Sequence, residues 1–499
     1  MGVAGAYSPT RSTLETAMPV ADATPPALHL FGHACLGIEA GGRRLLVDPW
    51  LVGSCYWRAW WHFPAPPELP EEWLAPDAIY LSHHHFDHFH YPSMRRLDRA
   101  ARVYVPRFGV DVLRGELAGL GFHDVVELAH GEPRAFGDGA RIASYQHGFD
   151  DSALVVADGD VVIVDLNDCK LRGRALRQVV RTFGRPTFML RTHSWAQSYP
   201  IQYEAEDPAD LELITDETFL RDFADAAAVL QPRYAVPFAN MVAFLHPQAA
   251  AANDHLITPD RVQAACAADG RLAAVEVVPL GPGDSWRAGE GFARAGGPWW
   301  ADREAVLARR ADEVRPVLER TAAEEADRHL DFATFRGYLE RFARDVPWPA
   351  RRALGHRPIA FAAPWDEARP WWVLDLRRRS VRRLPEPPPE RASAIHVDEA
   401  VLADAIANRI LHMVHGSMRI RTELRPGGVS DDLGFWGLLM VWEIGYLPLR
   451  ALPRRRFASV LVRRWREAAD ALAALLAPGG GSTLERLSGG FATTGSRRS

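Results

Sequence analysis

The segment ALHLFGHACLGIEAGGRRLLVDPWL alternates apolar and polar positions on either side of Ala40-Gly41-Gly42. This predicts two strands joined by a tight turn, the second of which, Leu45-Leu46-Val47, runs into Asp48. The short apolar run Ala78-Ile79-Tyr80-Leu81 predicts a buried strand. More strands are expected in ARVYVPR, HDVVELA and ARIASYQHG, with a helix near VDVLRGELAGLG. SALVVADGDVVIVD reads as a hairpin turning at Asp158-Gly159-Asp160. Strands interspersed with helical segments predict an α/β sandwich with helices packed outside two sheets.

The pattern changes at PGDSWRAGEGFARAGGPWW, which is rich in Gly and Pro and reads as a linker. From Asp302 to Val346 a helical period places Phe335, Leu339 and Phe342 on one face, with Pro316 expected to interrupt it. PWWVLDLRRRSVRRL reads as a hairpin, VDEAVLADAIANRIL as a helix begun near Asp398, and SMRIRTEL and GLLMVWEIG as strands. The chain therefore divides into a disordered N-terminus (1–26), an α/β domain (27–286), a linker with a helical segment (287–350), a smaller α+β domain (351–477) and a disordered tail (478–499). If the smaller domain is a partner- or lipid-binding addition, the first domain folds on its own; otherwise residues 300–475 complete its core or cover its cleft. Trp371, Trp372, Trp436 and Trp442 are expected in the core of the smaller domain.

Candidate chemistry concentrates in DAIYLSHHHFDHFHYPSMRRL, where five histidines and Asp87 fall between His83 and His90. A solvated histidine-rich loop is the plain alternative, but the tract follows a predicted buried strand, where a rigid scaffold aims side chains into a cleft. The spacing His83-x-His85-x-Asp87-His88 can serve two neighbouring metal ions, with His83 and His85 on one and Asp87 and His88 on the other.

Composition removes several classes. A net charge of −5 gives no broad cationic face for nucleic acid, and the arginine runs at 377–379 and 454–456 read as solvated turns. Cys35, Cys55, Cys169 and Cys266 are widely spaced and form no CxxC pair, so neither a disulfide framework nor a cysteine zinc site is expected. No basic, then apolar, leader opens the chain and no apolar run reaches membrane-spanning length; a cytoplasmic protein without membrane contact is expected.

A strand ending in Asp48 and a HxHxDH loop after another strand resemble the metallo-β-lactamase fold, an αββα sandwich with metals at one sheet edge. LLVDPWLVGSCYWRAWW, IYLSHHHFDHFHYPSMRRL and LQPRYAVPFANMVAFLHP are similar to the corresponding part of the CMP-N-acetylneuraminate hydroxylases. The resemblance implies His147, in SYQHGF, as third ligand of the first metal. It implies Asp168 as the carboxylate bridging both metals, with Asp165 as alternative. His246 would be the last ligand of the second metal, with His193 as its rival. His33 and Asp48 would orient ligands from behind. Trp57, Trp60 and Trp61 are expected to wall a substrate cleft, with an aromatic core cluster as the alternative, and Arg58 either meets an anionic substrate or is a surface arginine. Those hydroxylases use a Rieske centre, but the Cys-x-His and Cys-x-x-His pairs it needs are missing from these 499 residues. The resemblance thus implies a non-heme enzyme with two Fe ions, oxidising a small molecule with electrons from an external donor. A hydrolase with two Zn ions, cleaving an ester, amide or phosphodiester, uses the same ligand types.

Overall fold

The computed structural model describes residues 24–366, 368 and 370–476. The disorder expected for 478–499 and for most of 1–26 lies outside the described residues; Pro25 and Pro26 use their carbonyls to bind Arg287 and Ala288.

Alternation along the strands produces the sandwich. Leu36, Ile38, Leu45, Val47, Leu154 and Val156 join one core between two sheets, while Cys35, Leu46, Ala153 and Val155 join the cores beneath the flanking helices. Covering each such Leu, Ile or Val stabilises by roughly 1.5–3 kcal/mol, so both faces of both sheets must find partners. The first sheet orders Gly291–Ala293, Ser285–Arg287, Ala27–Gly32, Cys35–Ala40, Arg43–Val47, Ala78–Tyr80, Arg102–Pro106 and Val125–Leu128. The second orders Glu276–Val277, Tyr234–Phe238, Phe188–Thr192, Val161–Asn167, Asp151–Asp158, Ala140–His147 and Arg134–Phe136. Helices Gly173–Phe183, Asp216–Leu230 and Pro259–Ala267 cover the second sheet, and Tyr91–Met94 and Leu113–Gly119 cover the first. Helix, sheet, sheet and helix layers make the expected αββα sandwich.

Strand direction positions the site. Arg43–Val47, Ala78–Tyr80 and Arg102–Pro106 run parallel, as do Val161–Asn167, Phe188–Thr192 and Tyr234–Phe238. Parallel strands release their C-terminal loops at one edge, where α/β proteins bind ligands. Tyr80 ties the sheets together below that edge: its hydroxyl lies 2.9 Å from Ser144 Oγ and 2.8 Å from Ser152 Oγ.

The C-terminal half shares a sheet with the first half. A third sheet orders Tyr203–Ala205, Arg421–Leu424, Ser393–His396, Ile359–Ala362, Trp371–Asp375 and Ser380–Leu384, and its first strand comes from the first half of the chain. Phe335, Leu339 and Phe342 pack with Trp372, Trp436 and Trp442 in one core against this sheet; Trp371 is half-buried against His396. The first sheet also passes the expected boundary at 286, because Ser285–Arg287 pairs with Gly291–Ala293. Arg419, 2% exposed, reaches Glu325, Asp398, Gln248 Oε1 and the carbonyl of Trp57, binding four separate segments together.

Two local expectations are overturned. GLLMVWEIG lies mostly in helix Val429–Glu443 rather than in a strand, since a short apolar run buried on several sides fits either element. Helix Arg303–Glu325 continues through Pro316; Asp312 and Pro316 are both exposed, so the carbonyl that loses its partner meets water. Among the described residues all four cysteines are free and buried, and no helix is long and apolar enough to cross a membrane.

A chain truncated after Trp286 would leave Tyr203–Ala205 without its partner strand and the face under residues 410–418 bare. It should be insoluble or aggregate on size-exclusion chromatography. A monodisperse truncated chain with cooperative thermal unfolding would contradict this architecture.

Candidate metal centre

The strand ends deliver Asp48, the 82–90 loop and Asn167-Asp168 to one point. Asp48 is fully buried; its Oδ1 accepts from Ser82 N (2.8 Å) and its Oδ2 from Ser82 Oγ (2.5 Å), Asn167 Nδ2 (2.7 Å) and His88 Nδ1 (2.9 Å). A carboxylate on Nδ1 leaves His88 Nε2 to face the cleft, the arrangement expected behind a ligating histidine. His88 Nε2 is buried, lies 3.1 Å from Asp87 Oδ2 and 3.4 Å from Asp168 Oδ2, and makes an aligned hydrogen bond to neither.

Two sets of ligand atoms converge here, each within 4.8 Å: His33, Asp87 and His88, and His83, His88 and Asp168. His33 Nε2 is 3.0 Å from Asp87 Oδ2, so His33 stands inside a ligand set, where sequence had put it behind one. Asp87 Oδ1 accepts from Tyr56 OH at 2.8 Å. His83 Nε2 lies 2.8 Å from His85 Nδ1, and Asp151 Oδ1 is 3.8 Å from His83 Nδ1. His33, Asp48, Tyr56 and Asn167 hold φ of 31°, 42°, 51° and 53°. Left-handed backbone at a non-glycine residue costs on the order of 1–3 kcal/mol, and such strain collects at functional sites.

The electrostatics suit cations. Burial pushes the imidazoles of His83 and His85 down, which keeps them neutral with lone pairs to offer. Burial, then Asp168 and Asp150, pushes the Asp151 carboxyl well up. Burial opposes charge on His88, yet Asp87, Asp168 and Asp48 together hold it well above its ordinary value. Carboxylates that draw a proton onto a buried imidazole would equally favour a metal ion. Buried Asp168 Oδ1 and His88 Nε2, both without hydrogen-bond partners, supply lone pairs for one. The residues fit a dinuclear site.

Asp168, not Asp165, reaches the cleft. The register slips between Asp165 and Asn167, and this irregularity turns the chain so that Asp168 lines the cavity. Asp165 remains in the strand, 1% exposed, its carboxyl pushed up by burial and then by Asp48.

Three other implied ligands lie elsewhere. His147 is 3.3 Å from Glu467 and lines an apolar chamber of about 500 Å³ with Arg464, because helix Trp465–Leu476 packs beside the end of its strand. His246 follows strand Val242–Phe244, which joins Trp60–His62 in a small sheet and carries it to a different cavity beside Arg419. His193 is buried near the backbone of Phe238 and Ile257, outside both ligand sets.

The cleft at the metal groups holds about 340 Å³. Of the expected walls only Trp60 lines it; alternation along its strand turns Trp61 into another core. Trp57 instead donates to Asp404 Oδ2 at 2.8 Å, and Arg58 is exposed near Ser54. Sequence reading missed Tyr56, Asp151, Lys170 and His412, all of which line the cleft. Asp150-Asp151 beside a candidate ligand, and a chain whose single lysine falls two residues after Asp168, were available signals. For His412, more than 300 residues from the histidine loop, no local signal exists.

Residues 27–175 match the β-lactamase superfamily domain. The chain is 33% identical over 186 residues to a Mycobacterium tuberculosis protein named as a Rieske 2Fe-2S iron-sulfur protein, covering 35% of each. It is 40% identical over 68 residues to the cytidine monophosphate-N-acetylneuraminic acid hydroxylase of Danio rerio, covering 13% of this chain and 12% of that one. These matches thus span about a third or less of the curated relatives' length. Among solved structures, a diiron β-hydroxylase from Streptomyces venezuelae is 21% identical, with a TM-score of 0.32 over 44% of this chain and 45% of that one. A metallo hydrolase from Ignicoccus hospitalis is 17% identical, with a TM-score of 0.36 over 52% of this chain and 97% of that one. Residues 27–175 are therefore similar to a β-lactamase superfamily domain, and the αββα layering of the sandwich they begin is the one expected of the metallo-β-lactamase fold.

Proposed function

We propose that this metal-dependent enzyme is a dinuclear non-heme iron oxygenase that oxidises a small molecule in the 340 Å³ cleft. The observation carrying the dinuclear reading is the convergence of five ligand residues, His33, His83, Asp87, His88 and Asp168, in two overlapping sets, more than a single ion needs. The preference for oxygen chemistry rests on the identity with hydroxylase segments, since imidazole and carboxylate ligands suit iron and zinc alike. Two iron ions held there would supply redox chemistry with dioxygen; two zinc ions would supply an activated water for hydrolysis.

The chain's own residues prepare the site. His33, His83 and His88 offer imidazole nitrogens, with His85 hydrogen-bonded to His83 and outside both ligand sets; Asp87 and Asp168 offer carboxylates, and Asp48 fixes the ring of His88. Tyr56 holds Asp87 through one oxygen and leaves the other toward His33 and His88. Trp60, Met413, Trp436 and Met440 give the cleft apolar walls, which suits a compact organic substrate. The electron donor in this reading lies outside these 499 residues.

Replacing Asp168 with Ala should cost both ions, measured by elemental analysis of protein purified without added metal; full metal content in the variant would remove Asp168 from the site. Asp48→Ala, which frees the ring of His88, should weaken metal affinity by about 10–100-fold in chelator competition. Reduced, iron-loaded protein should consume dioxygen at an oxygen electrode and change its visible absorption, and His83→Ala and Asp87→Ala should abolish both while staying folded. If only zinc co-purifies, generic esters or phosphodiesters are cleaved and the iron-loaded protein ignores dioxygen, the hydrolase reading replaces this one.

A further inference from the structure

The C-terminal half contributes an imidazole to the metal cleft in a setting built around one carboxylate. Glu443, the last residue of helix Val429–Glu443, has a fully buried side chain. Its Oε1 accepts from Leu411 N at 2.8 Å and from the hydroxyl of Tyr338. Its Oε2 accepts from His412 N at 2.8 Å and lies 2.5 Å from His412 Nδ1. A carboxylate with its neighbours' protons already directed at it acts as acceptor, so Nδ1 of His412 carries the ring proton. The lone pair then resides on Nε2.

That nitrogen is buried and has no hydrogen-bond partner, and the side chain is 8% exposed. His412 lines the same cleft as His85, Asp87 and Asp168, yet it belongs to neither converging ligand set. Leaving a buried acceptor unsatisfied is unfavourable, and a bound donor at that position removes the cost. The imidazole of this carboxylate–imidazole pair thus borders the cleft a substrate would occupy, outside the two ligand sets.

We propose that His412 Nε2 is the hydrogen-bond acceptor, and the proton acceptor, for an N–H or O–H group of the substrate. The substrate class is a small molecule bearing such a donor beside its reacting centre. In the proton transfer the substrate's N–H or O–H bond breaks, the proton goes to Nε2, and the electron pair stays on the substrate nitrogen or oxygen. The resulting imidazolium is balanced by Glu443. The inference rests on the reading of this cleft as a dinuclear metal site, and holds for oxygenase or hydrolase.

The test uses the full chain loaded with cobalt(II) and two probes, acetohydroxamic acid, which has an N–H, and N-methylacetohydroxamic acid, which lacks it. His412→Phe keeps a ring without the nitrogens, and His412→Ala is the second variant in case the larger ring disturbs folding. Both should retain two cobalt ions and the wild-type visible spectrum. Wild-type protein should prefer the N–H probe by about tenfold, the scale of one hydrogen bond to a buried group, and the variants should lose that preference. Loss of cobalt or an altered spectrum in a variant would make His412 a metal ligand and overturn the proposal, as would an equal probe preference in wild type and variants. Wild-type protein that fails to bind two cobalt ions would instead overturn the dinuclear reading, and this inference with it.

Discussion

The buried carboxylate of Asp48 is the constraint on which the site depends. It ends a strand of the first sheet, receives the loop that follows the neighbouring strand through both polar groups of Ser82, and reaches the second sheet through Asn167. A charge taken out of water is tolerated only when its lone pairs are filled, and here four donors fill them. Because those donors come from the 82–90 loop on one sheet and from Asn167 on the other, the carboxylate fixes the separation of the two sheet edges. His88 is the donor that transmits this to the cleft, since its ring is held through Nδ1 and its other nitrogen has one direction left.

The second half of the chain closes what the first half opens. The cleft has metal-group residues on one side and residues 412–440 on the other, and Arg419 and Trp57 anchor that second wall through contacts to Glu325, Asp398 and Asp404. The wall is mounted on a sheet that includes a strand of the first half, so its position is set by backbone hydrogen bonds as well as by side chains. Such a support keeps a cleft residue within the narrow tolerance that chemistry requires.

Sequence made the sandwich legible because strands covered on both faces read as short apolar runs bounded by turn residues, such as Leu45-Leu46-Val47 and Ala78-Ile79-Tyr80-Leu81, and because Asp48 and the HxHxDH loop lie next to the strands that carry them. His83, Asp87, His88 and Asp168 were legible for the same reason: neighbours along the chain remain neighbours at a strand end. His147, His193 and His246 show where that logic stops. His147 ends its strand and His193 and His246 follow theirs, as ligands would, but a packed helix beside His147 and a small extra sheet before His246 redirect those side chains. The opposite wall was illegible altogether, since His412, Trp436 and Met440 meet the metal groups only through tertiary packing. Trp57 and Arg58 were read as cleft residues from proximity in sequence, whereas three consecutive left-handed residues, Tyr56, Trp57 and Arg58, turn the chain away.

The parallel pairing of Tyr203 with Thr422 has an evolutionary corollary. Genes exchange domains most readily where few contacts cross the join, and an exchange near residue 300 would leave one parent's sheet short of a strand and the other's strand without a sheet. Recombination at that point would yield chains that misfold, so the two halves can change substrate or partner only by substitutions made in each other's presence. Their histories are bound together by a few main-chain hydrogen bonds.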